Sequence, residues 1–583
     1  MARRLAIVRK DRCNPIGCGN YLCARLCPVN MQQKDCIIPD PDSGKARIDE
    51  NLCTGCGICV NRCPFDAITI VNLPEALDKP IHRFGMNGFH LFSLPTPIFG
   101  KVVGILGRNG IGKSTAVKIL AGIIKPNLGK DEPASYEELV NFFKGHEAQR
   151  FFESLRDGKI VVSYKPQQID LLPKNYKGSV QELLKKVDET GKFDDVVDSL
   201  SLRQVLDRDI SQLSGGELQR MAIAATVLKK ANVYFFDEPT SYLDIKQRIL
   251  VSKFIKQLAD EDTAVLVIEH DLIILDFMTD LVHIMYGKEG AFGVVSLPKA
   301  TRSAINTYLS GYIKEENMRF RDHEISFVAR REFKDIAFKH LVGWNSVKKD
   351  LGGFHLKALQ GEIGRKESIG VLGENGIGKT TFIRILAGEI KPDSGSLSDN
   401  VKVAYKPQYL ESDSDMLVGE LLSDALKHFK HLFQPLDLHP LLTKKLSELS
   451  GGELQRVSIA YTLSKDAEIF LLDEPSAYLD VEQRLLVAKI IREVAEEREA
   501  SILVVDHDLM FVDYLSDKLV VFSGVPAKKG EAKGPFSMLE GMNLFLAKLD
   551  ITLRRDKESN RPRINKPGSR LDREQKENGM LYA

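Results

Sequence analysis

The sequence predicts a multidomain α/β protein in which a small cysteine-rich module precedes two copies of one strand–loop–helix domain. Three observations carry that reading. All nine cysteines fall between Cys13 and Cys63. The strings GRNGIGKST and GENGIGKTT stand at 107 and 373, and LSGGELQR stands at 213 and 449, so most of the chain is an internal duplication. Each glycine-rich string follows an apolar, β-rich run (VVGIL, SIGVL) and leads into a helical pattern (KSTAVKILAG, KTTFIRILAG).

Size and composition set bounds on these elements. A chain of 583 residues exceeds one hydrophobic core, and roughly three or four domains are expected. Apolar residues make up 43% and charged residues 28%, with a net charge of +1. That balance suits a folded, water-soluble protein and excludes a globally basic coat for nucleic acid. No run approaches the ~18–20 apolar residues of a membrane helix, and the start, MARRLAIVRKDRCNP, lacks the apolar core of a secretion signal. A cytoplasmic location without a membrane partner is therefore expected.

In the cysteine module, Cys53, Cys56, Cys59 and Cys63 precede Pro64 with the C-x2-C-x2-C-x3-C-P spacing of bacterial ferredoxins. A second quartet, Cys13, Cys18, Cys23 and Cys27, precedes Pro28 with wider first gaps. Two [4Fe-4S] clusters are expected in a ferredoxin-like fold. The fourth cysteine of each run crosses to the other cluster: Cys53, Cys56, Cys59 and Cys27 hold one, and Cys13, Cys18, Cys23 and Cys63 the other. Structural zinc is the rival ligand, and the paired x3-C-P endings favour iron–sulfur. Cys36 is left over as a small buried residue. A module this small depends on its clusters to stay folded.

In each duplicated domain the glycine loop opens a helix, so its backbone N–H groups point at a phosphate and its lysine reaches the β and γ groups. The loop residues are Gly107, Asn109, Gly110, Gly112, Lys113, Ser114 and Thr115, and then Gly373, Asn375, Gly376, Gly378, Lys379, Thr380 and Thr381. Ser114 and Thr380 are placed to ligate Mg²⁺. The strands NVYFFDEPT and EIFLLDEPS end in paired acids. Asp237 and Asp473 are expected to hold Mg²⁺, and Glu238 and Glu474 to orient or deprotonate the attacking water. LSGGELQR starts a further helix, and its positive end needs a phosphate other than that of its own loop.

Together these motifs, with YLD after Glu-Pro and a histidine after a strand, resemble the ATP-binding-cassette (ABC) ATPases. The resemblance implies two cassettes paired head to tail. Site one then comprises Lys113, Ser114, Gln167, Asp237, Glu238 and His270, closed by Ser450, Gly451 and Gly452. Site two comprises Lys379, Thr380, Gln408, Asp473, Glu474 and His507, closed by Ser214, Gly215 and Gly216. Gln167 and Gln408 also approach Mg²⁺, His270 and His507 act with the catalytic glutamates, and Asp244 and Asp480 are the D-loop residues that couple the sites. Phe84 is expected to stack on adenine at site one. At site two Leu351 takes that place, with Phe354 a weak substitute.

The expected domains are 1–75 (ferredoxin-like), 76–297 (first cassette), 298–330 (linker), 331–524 (second cassette) and 525–583 (second linker and tail). An insertion, 130–159, has no counterpart in the second cassette, and its two helix-like stretches flank Gly145. The polar, Pro-interrupted tail should wrap a surface without forming a core, its arginines free for acidic protein, RNA or solvent. This domain order resembles the ABC protein subfamily E, also called the RNase L inhibitor family, the ribosome-recycling ATPases of archaea and eukaryotes.

That resemblance implies ATP-driven splitting of ribosomes into subunits after termination or rescue. It implies work beside a release factor or Pelota-type factor, with the small subunit kept bound, and a monomer whose cassettes pair within the chain. It also implies that 130–159 and the segments near Arg319 and Arg554 touch the rRNA and protein of the small subunit. Two other classes use the same parts: an ATP-coupled electron-transfer enzyme, and the motor of a transporter.

Overall fold

The computed structural model describes residues 4–50, 52–72, 79–325, 327, 339–398, 401–408 and 415–582. The boundaries expected at 75/76 and 330/331 lie outside the described residues.

The cysteine module is built from two antiparallel strand pairs, Arg4–Val8 with Ile68–Asn72 and Ile37–Pro39 with Ala46–Ile48. Helices of one turn, Leu22–Arg25, Pro28–Met31 and Ile58–Arg62, stand among the cysteines. Its apolar core is thin: Ala6, Val8, Ile37, Ile48 and Ile68 share it with the thiols of Cys13, Cys27, Cys36 and Cys59. So few apolar side chains leave much of the stabilisation to whatever the cysteines hold.

In the first cassette five parallel strands form the centre of a nine-stranded sheet, in the order Val162–Lys165, Val233–Asp237, Ala264–Ile268, Val102–Leu106 and Leu281–Lys288. The three middle strands are buried throughout, which is why they read as unbroken apolar runs. The second cassette repeats the centre with Val403–Lys406, Ile469–Asp473, Ser501–Val505, Ser368–Leu372 and Lys518–Val525. Each glycine loop, acidic pair and histidine leaves the carboxyl end of a central strand, where open α/β sheets bind ligands.

The insertion folds as two helices, Tyr136–Phe142 and Glu147–Arg156, on either side of Gly145. Ser135 and Glu138 close a reciprocal cap at its start. Phe143 stacks on Phe152 with ring centroids 5.3 Å apart, and both belong to the same apolar cluster as Val103 and Ala116 beneath the glycine-loop helix. The insertion is thus rooted in the first cassette's core.

Two expectations are corrected at the C-terminus. The second cassette does not end at 524: strand Lys529–Ser537 pairs with Lys518–Val525, and helix Met538–Leu549 packs on both. The tail is also not a solvated wrap. It forms a strand pair, Leu553–Arg555 with Pro562–Ile564, and a helix, Arg570–Glu577, and it buries Leu553, Ile564 and Tyr582 in a cluster shared with the first cassette. Its arginines meet acids of its own chain. Arg561, 0% exposed, and Arg563 converge on Asp276 of the first cassette at 2.5–3.2 Å. Arg555 grips Asp513 of the second at 2.7 and 2.9 Å. Composition predicted a polar surface; internal charge pairing turned it into a clamp on matched helices of both cassettes.

Candidate functional site: paired nucleotide sites and a cysteine centre

Both glycine loops are shaped around their lysines. Lys113 Nζ donates to the carbonyls of Gly107 (2.9 Å) and Arg108 (2.6 Å), and Lys379 Nζ to those of Gly373 (2.9 Å) and Glu374 (2.6 Å). Burial lowers the pKa of both amines, that of Lys379 to about 8. Gly112 has φ 89° and Gly378 φ 92°, and a Cβ at either would strike the ring of Phe89 or Phe354 at 2.6–2.9 Å. Only glycine fits there. Asn109, Ser114, Thr115, Asn375, Thr380 and Thr381 lie partly buried along the same two turns.

Asp237 and Asp473 end buried strands, and Asp237 Oδ1 and both oxygens of Asp473 find no hydrogen-bond partner in the protein. Buried carboxylates with few protein donors beyond the hydroxyls of Ser114 and Thr380 fit the donor set of Mg²⁺. At site one Gln167 Nε2 donates to Glu238 Oε1 at 2.6 Å, Ser241 Oγ to Glu238 Oε2 at 3.1 Å, and His270 Nε2 lies 3.4 Å from Oε1. Burial opposes ionisation of Glu238, but His270 and Lys113 beside it hold its carboxyl down at about 2. At site two His507 Nε2 is 3.6 Å from Glu474 Oε1, and burial with the adjacent Asp473 raises the Glu474 carboxyl. Burial lowers the pKa of both histidines, while the carboxyl shift runs down at Glu238 and up at Glu474.

The cassettes face each other head to tail. The backbone N–H of Asn109 in loop one donates to Asp480 Oδ2 at 3.0 Å, and that of Asn375 in loop two to Asp244 Oδ2 at 2.9 Å. Asp244 and Asp480 cap helices Ile245–Gln257 and Val481–Glu497. Ser214 and Ser450 cap the signature helices Gly215–Val227 and Gly451–Leu463 with reciprocal boxes to Glu217 and Glu453. Gly216 and Gly452 pack on the carbonyls of Tyr242 and Tyr478, two residues before those aspartates. Each signature end therefore sits beside the contact that its own cassette makes with the opposite loop.

The turns ahead of the two glycine loops share one closing hydrogen bond. Phe84 N–H donates to the Phe89 carbonyl and Leu351 N–H to that of Phe354, both at 3.0 Å. Leu351 is thus the counterpart of Phe84, and the two are similarly open, at 48% and 46% exposed. Phe354 corresponds to Phe89, each ring lying against its loop glycine. The edge of His82 supports the Phe84 ring, with centroids 4.5 Å apart.

Sequence reasoning missed several groups. Lys165 and Lys406 are fully buried and donate to the carbonyls of Asp237 and Asp473 at 3.0 and 3.1 Å, and Tyr164 donates its hydroxyl to Asp237 Oδ2 at 3.2 Å. The repeated YKPQ of both copies was the available signal. Asn87 carries no such signal. It lies in the Phe84–Phe89 turn and pins the cysteine module, donating to the carbonyls of Ala6 and Ile48 and accepting from Ile48 N–H, all at 2.8 Å. Arg9 of the module reaches the Glu289 carbonyl, beside Gly290, whose N–H meets the Gly110 carbonyl at 2.9 Å.

In the cysteine module Cys13, Cys18, Cys23 and Cys63 line a single pocket. Cys53 and Cys56 are the nearest thiols to Cys59, and Cys36 lies beside Cys27 and Cys53. Among the described residues no three His, Cys, Asp or Glu side chains converge closely enough for a single ion. Four thiols around one pocket fit a larger group, as an iron–sulfur cluster is.

Strand-end carboxylates, phosphate loops and helix ends joined across two cassettes define an ABC-type ATPase carrying an iron–sulfur module. The family profile described as ABC transporter matches residues 98–241 and 356–477, and that described as 4Fe-4S binding domain matches 46–69. An uncharacterized ABC transporter ATP-binding protein of Methanocaldococcus jannaschii is 52% identical over 99% of this chain and 97% of its own. ABC transporter E family member 1 of Arabidopsis thaliana is 44% identical over 99% and 98%. Among solved structures, a model of ribosome-bound archaeal Pelota and ABCE1 matches with a TM-score of 0.94 and 52% identity across 100% of both chains. A complex of the archaeal ribosomal stalk protein aP1 with the archaeal ribosome recycling factor aABCE1 matches with 0.83 and 52%, over 86% and 99%. The chain belongs to the E subfamily of ABC proteins, the RNase-L inhibitor family.

Proposed function

We propose that the chain is an ATP-driven ribosome recycling factor of the cytoplasm. It splits ribosomes into subunits after termination or rescue, beside a release factor or Pelota-type factor, and stays on the small subunit. One observation carries the reading: the likeness to the ribosome-bound archaeal form runs end to end, through module, insertion, both cassettes and both linkers. The insertion 130–159 and the segments near Arg319 and Arg554 are assigned to the small subunit. Among the described residues no helix is long and apolar enough to cross a membrane, and the cassette pairing within one chain supports a monomer.

In this reading the helix and loop N–H groups from Gly107 to Ser114 and from Gly373 to Thr380 cradle the phosphates. Lys113 and Lys379 supply positive charge at the β and γ groups. Mg²⁺, held by Ser114, Gln167 and Asp237 or by Thr380, Gln408 and Asp473, adds charge neutralisation on the phosphate oxygens when bound. Glu238 and Glu474 orient water and take its proton as its oxygen bonds the γ-phosphorus and the bond to ADP breaks. His270 and His507 hold those glutamates in place. Ser450, Gly451 and Gly452 close site one, and Ser214, Gly215 and Gly216 close site two. Asp244 and Asp480 carry closure from one site to the other. Phe84 stacks on adenine at site one, and Leu351 offers a smaller apolar platform at site two.

Two [4Fe-4S] clusters, on Cys13, Cys18, Cys23 and Cys63 and on Cys27, Cys53, Cys56 and Cys59, act as cross-links that stiffen the module. Asn87 and Arg9 tie it to site one, so closure there moves it. Density-gradient profiles of archaeal or eukaryotic ribosomes with this protein, a release factor and ATP test the proposal. Dissociation that needs both ATP and intact clusters supports it, and intact ribosomes with active factors would refute it.

A further inference from the structure

The two composite sites match in the backbone contact from each loop to the facing D-loop aspartate, but not in charge. Arg108 occupies in loop one the place of Glu374 in loop two, each between the first glycine and the asparagine. Lys246 and Glu482 are likewise matched, each two residues after its D-loop aspartate. Across site one Arg108 Nε lies 3.0 Å from Glu482 Oε2. Across site two Lys246 Nζ lies 3.2 and 3.3 Å from the oxygens of Glu374. The cation is on the loop at one site and on the facing helix at the other.

That exchange matters because the backbone contacts from loop to D-loop do not distinguish the copies. The bonds from Asn109 N–H to Asp480 and from Asn375 N–H to Asp244 are alike. Both would form equally well between two first cassettes or two second ones. The exchanged charges would not: two first cassettes set Arg108 against Lys246, and two second cassettes set Glu374 against Glu482. Rim charges add little affinity in the right complex but act strongly against wrong ones.

We infer that Arg108, Lys246, Glu374 and Glu482 are specificity-determining residues that restrict ATP-driven closure to unlike cassettes and exclude closure between like cassettes of two chains. Site one is the more firmly specified, since Glu482 also accepts from Arg321 of the linker at 2.9–3.1 Å. Site two has only the more exposed lysine pair. Repulsion between like cassettes suits two domains that share one ancestral interface.

The test uses the full-length protein. Glu374→Lys sets two lysines face to face at site two and should raise KM for ATP in steady-state hydrolysis about tenfold. Adding Lys246→Glu re-forms the pair with its charges exchanged and should bring KM back to within about twofold of the parent. Arg108→Glu with Glu374→Lys makes every unlike contact repulsive and every like contact complementary, so light scattering should find an ATP-dependent two-chain species that the parent lacks. A parental KM in Glu374→Lys, a swap no better than the single change, or a double variant that stays a single chain with ATP would each overturn the inference.

Discussion

Replacing Asn87 should uncouple ATP hydrolysis from movement of the cysteine module. Its side chain makes three hydrogen bonds to the module, all at 2.8 Å, from a position only 3% exposed. Asn87→Ala leaves the Ile48 N–H and the carbonyls of Ala6 and Ile48 without these partners inside the interface. At ~1–3 kcal/mol for each of the three unsatisfied buried groups, the loss is about 3–9 kcal/mol. Asn87 also has φ 57°, where alanine adds ~1–2 kcal/mol of strain, so Asn87→Gly serves as the companion variant that loses the bonds without it. The readout is hydrogen exchange at the Ile48 amide, whose acceptor is Asn87 Oδ1. It should quicken about a hundredfold or more in both variants, while ATP turnover stays within about twofold and subunit splitting falls. Unchanged exchange at Ile48 together with parental splitting would refute the argument that this residue carries site one's closure to the module.

Asp276→Asn leaves Arg561 buried without its carboxylate and Arg563 with only Asp556, 3.1 Å away, a change worth ~3–5 kcal/mol, and limited proteolysis should cut the tail beyond Arg555 about a hundredfold faster than in the parent. Phe84→Ala should weaken ATP binding at site one by roughly 1–3 kcal/mol of lost stacking; Leu351→Ala should cost site two less than about 1 kcal/mol, as equilibrium titration of each site will report. Glu238→Gln and Glu474→Gln should slow steady-state hydrolysis by different factors. Glu238 is held ionised by its neighbours while the Glu474 carboxyl is raised, and equal effects would remove that claim.

Most of the chemistry was legible in the sequence because it is local. A glycine loop, its lysine and the helix that follows are contiguous, so GRNGIGKST and GENGIGKTT specify a phosphate cradle wherever they fold. The strand-end pairs Asp237–Glu238 and Asp473–Glu474, the signature strings and the two cysteine runs are short patterns of the same kind, and the resemblance they carry to ABC ATPases implied the head-to-tail partner. What the sequence left undetermined is non-local. Leu351 was already set opposite Phe84, but setting Phe354 opposite Phe89 needed the packing of both rings on their loop glycines, because the intervening lengths differ. Asn87 is one polar residue in a turn until the fold sets it against Ala6 and Ile48. The tail's arginines are indistinguishable by composition from a solvated basic segment, and only the packing that brings Asp276 and Asp513 to them decides that they are a clamp. The exchanged charges at 108, 246, 374 and 482 acquire meaning only across an interface, since a charge's effect depends on what faces it and the distance between them, which the linear order of residues does not encode.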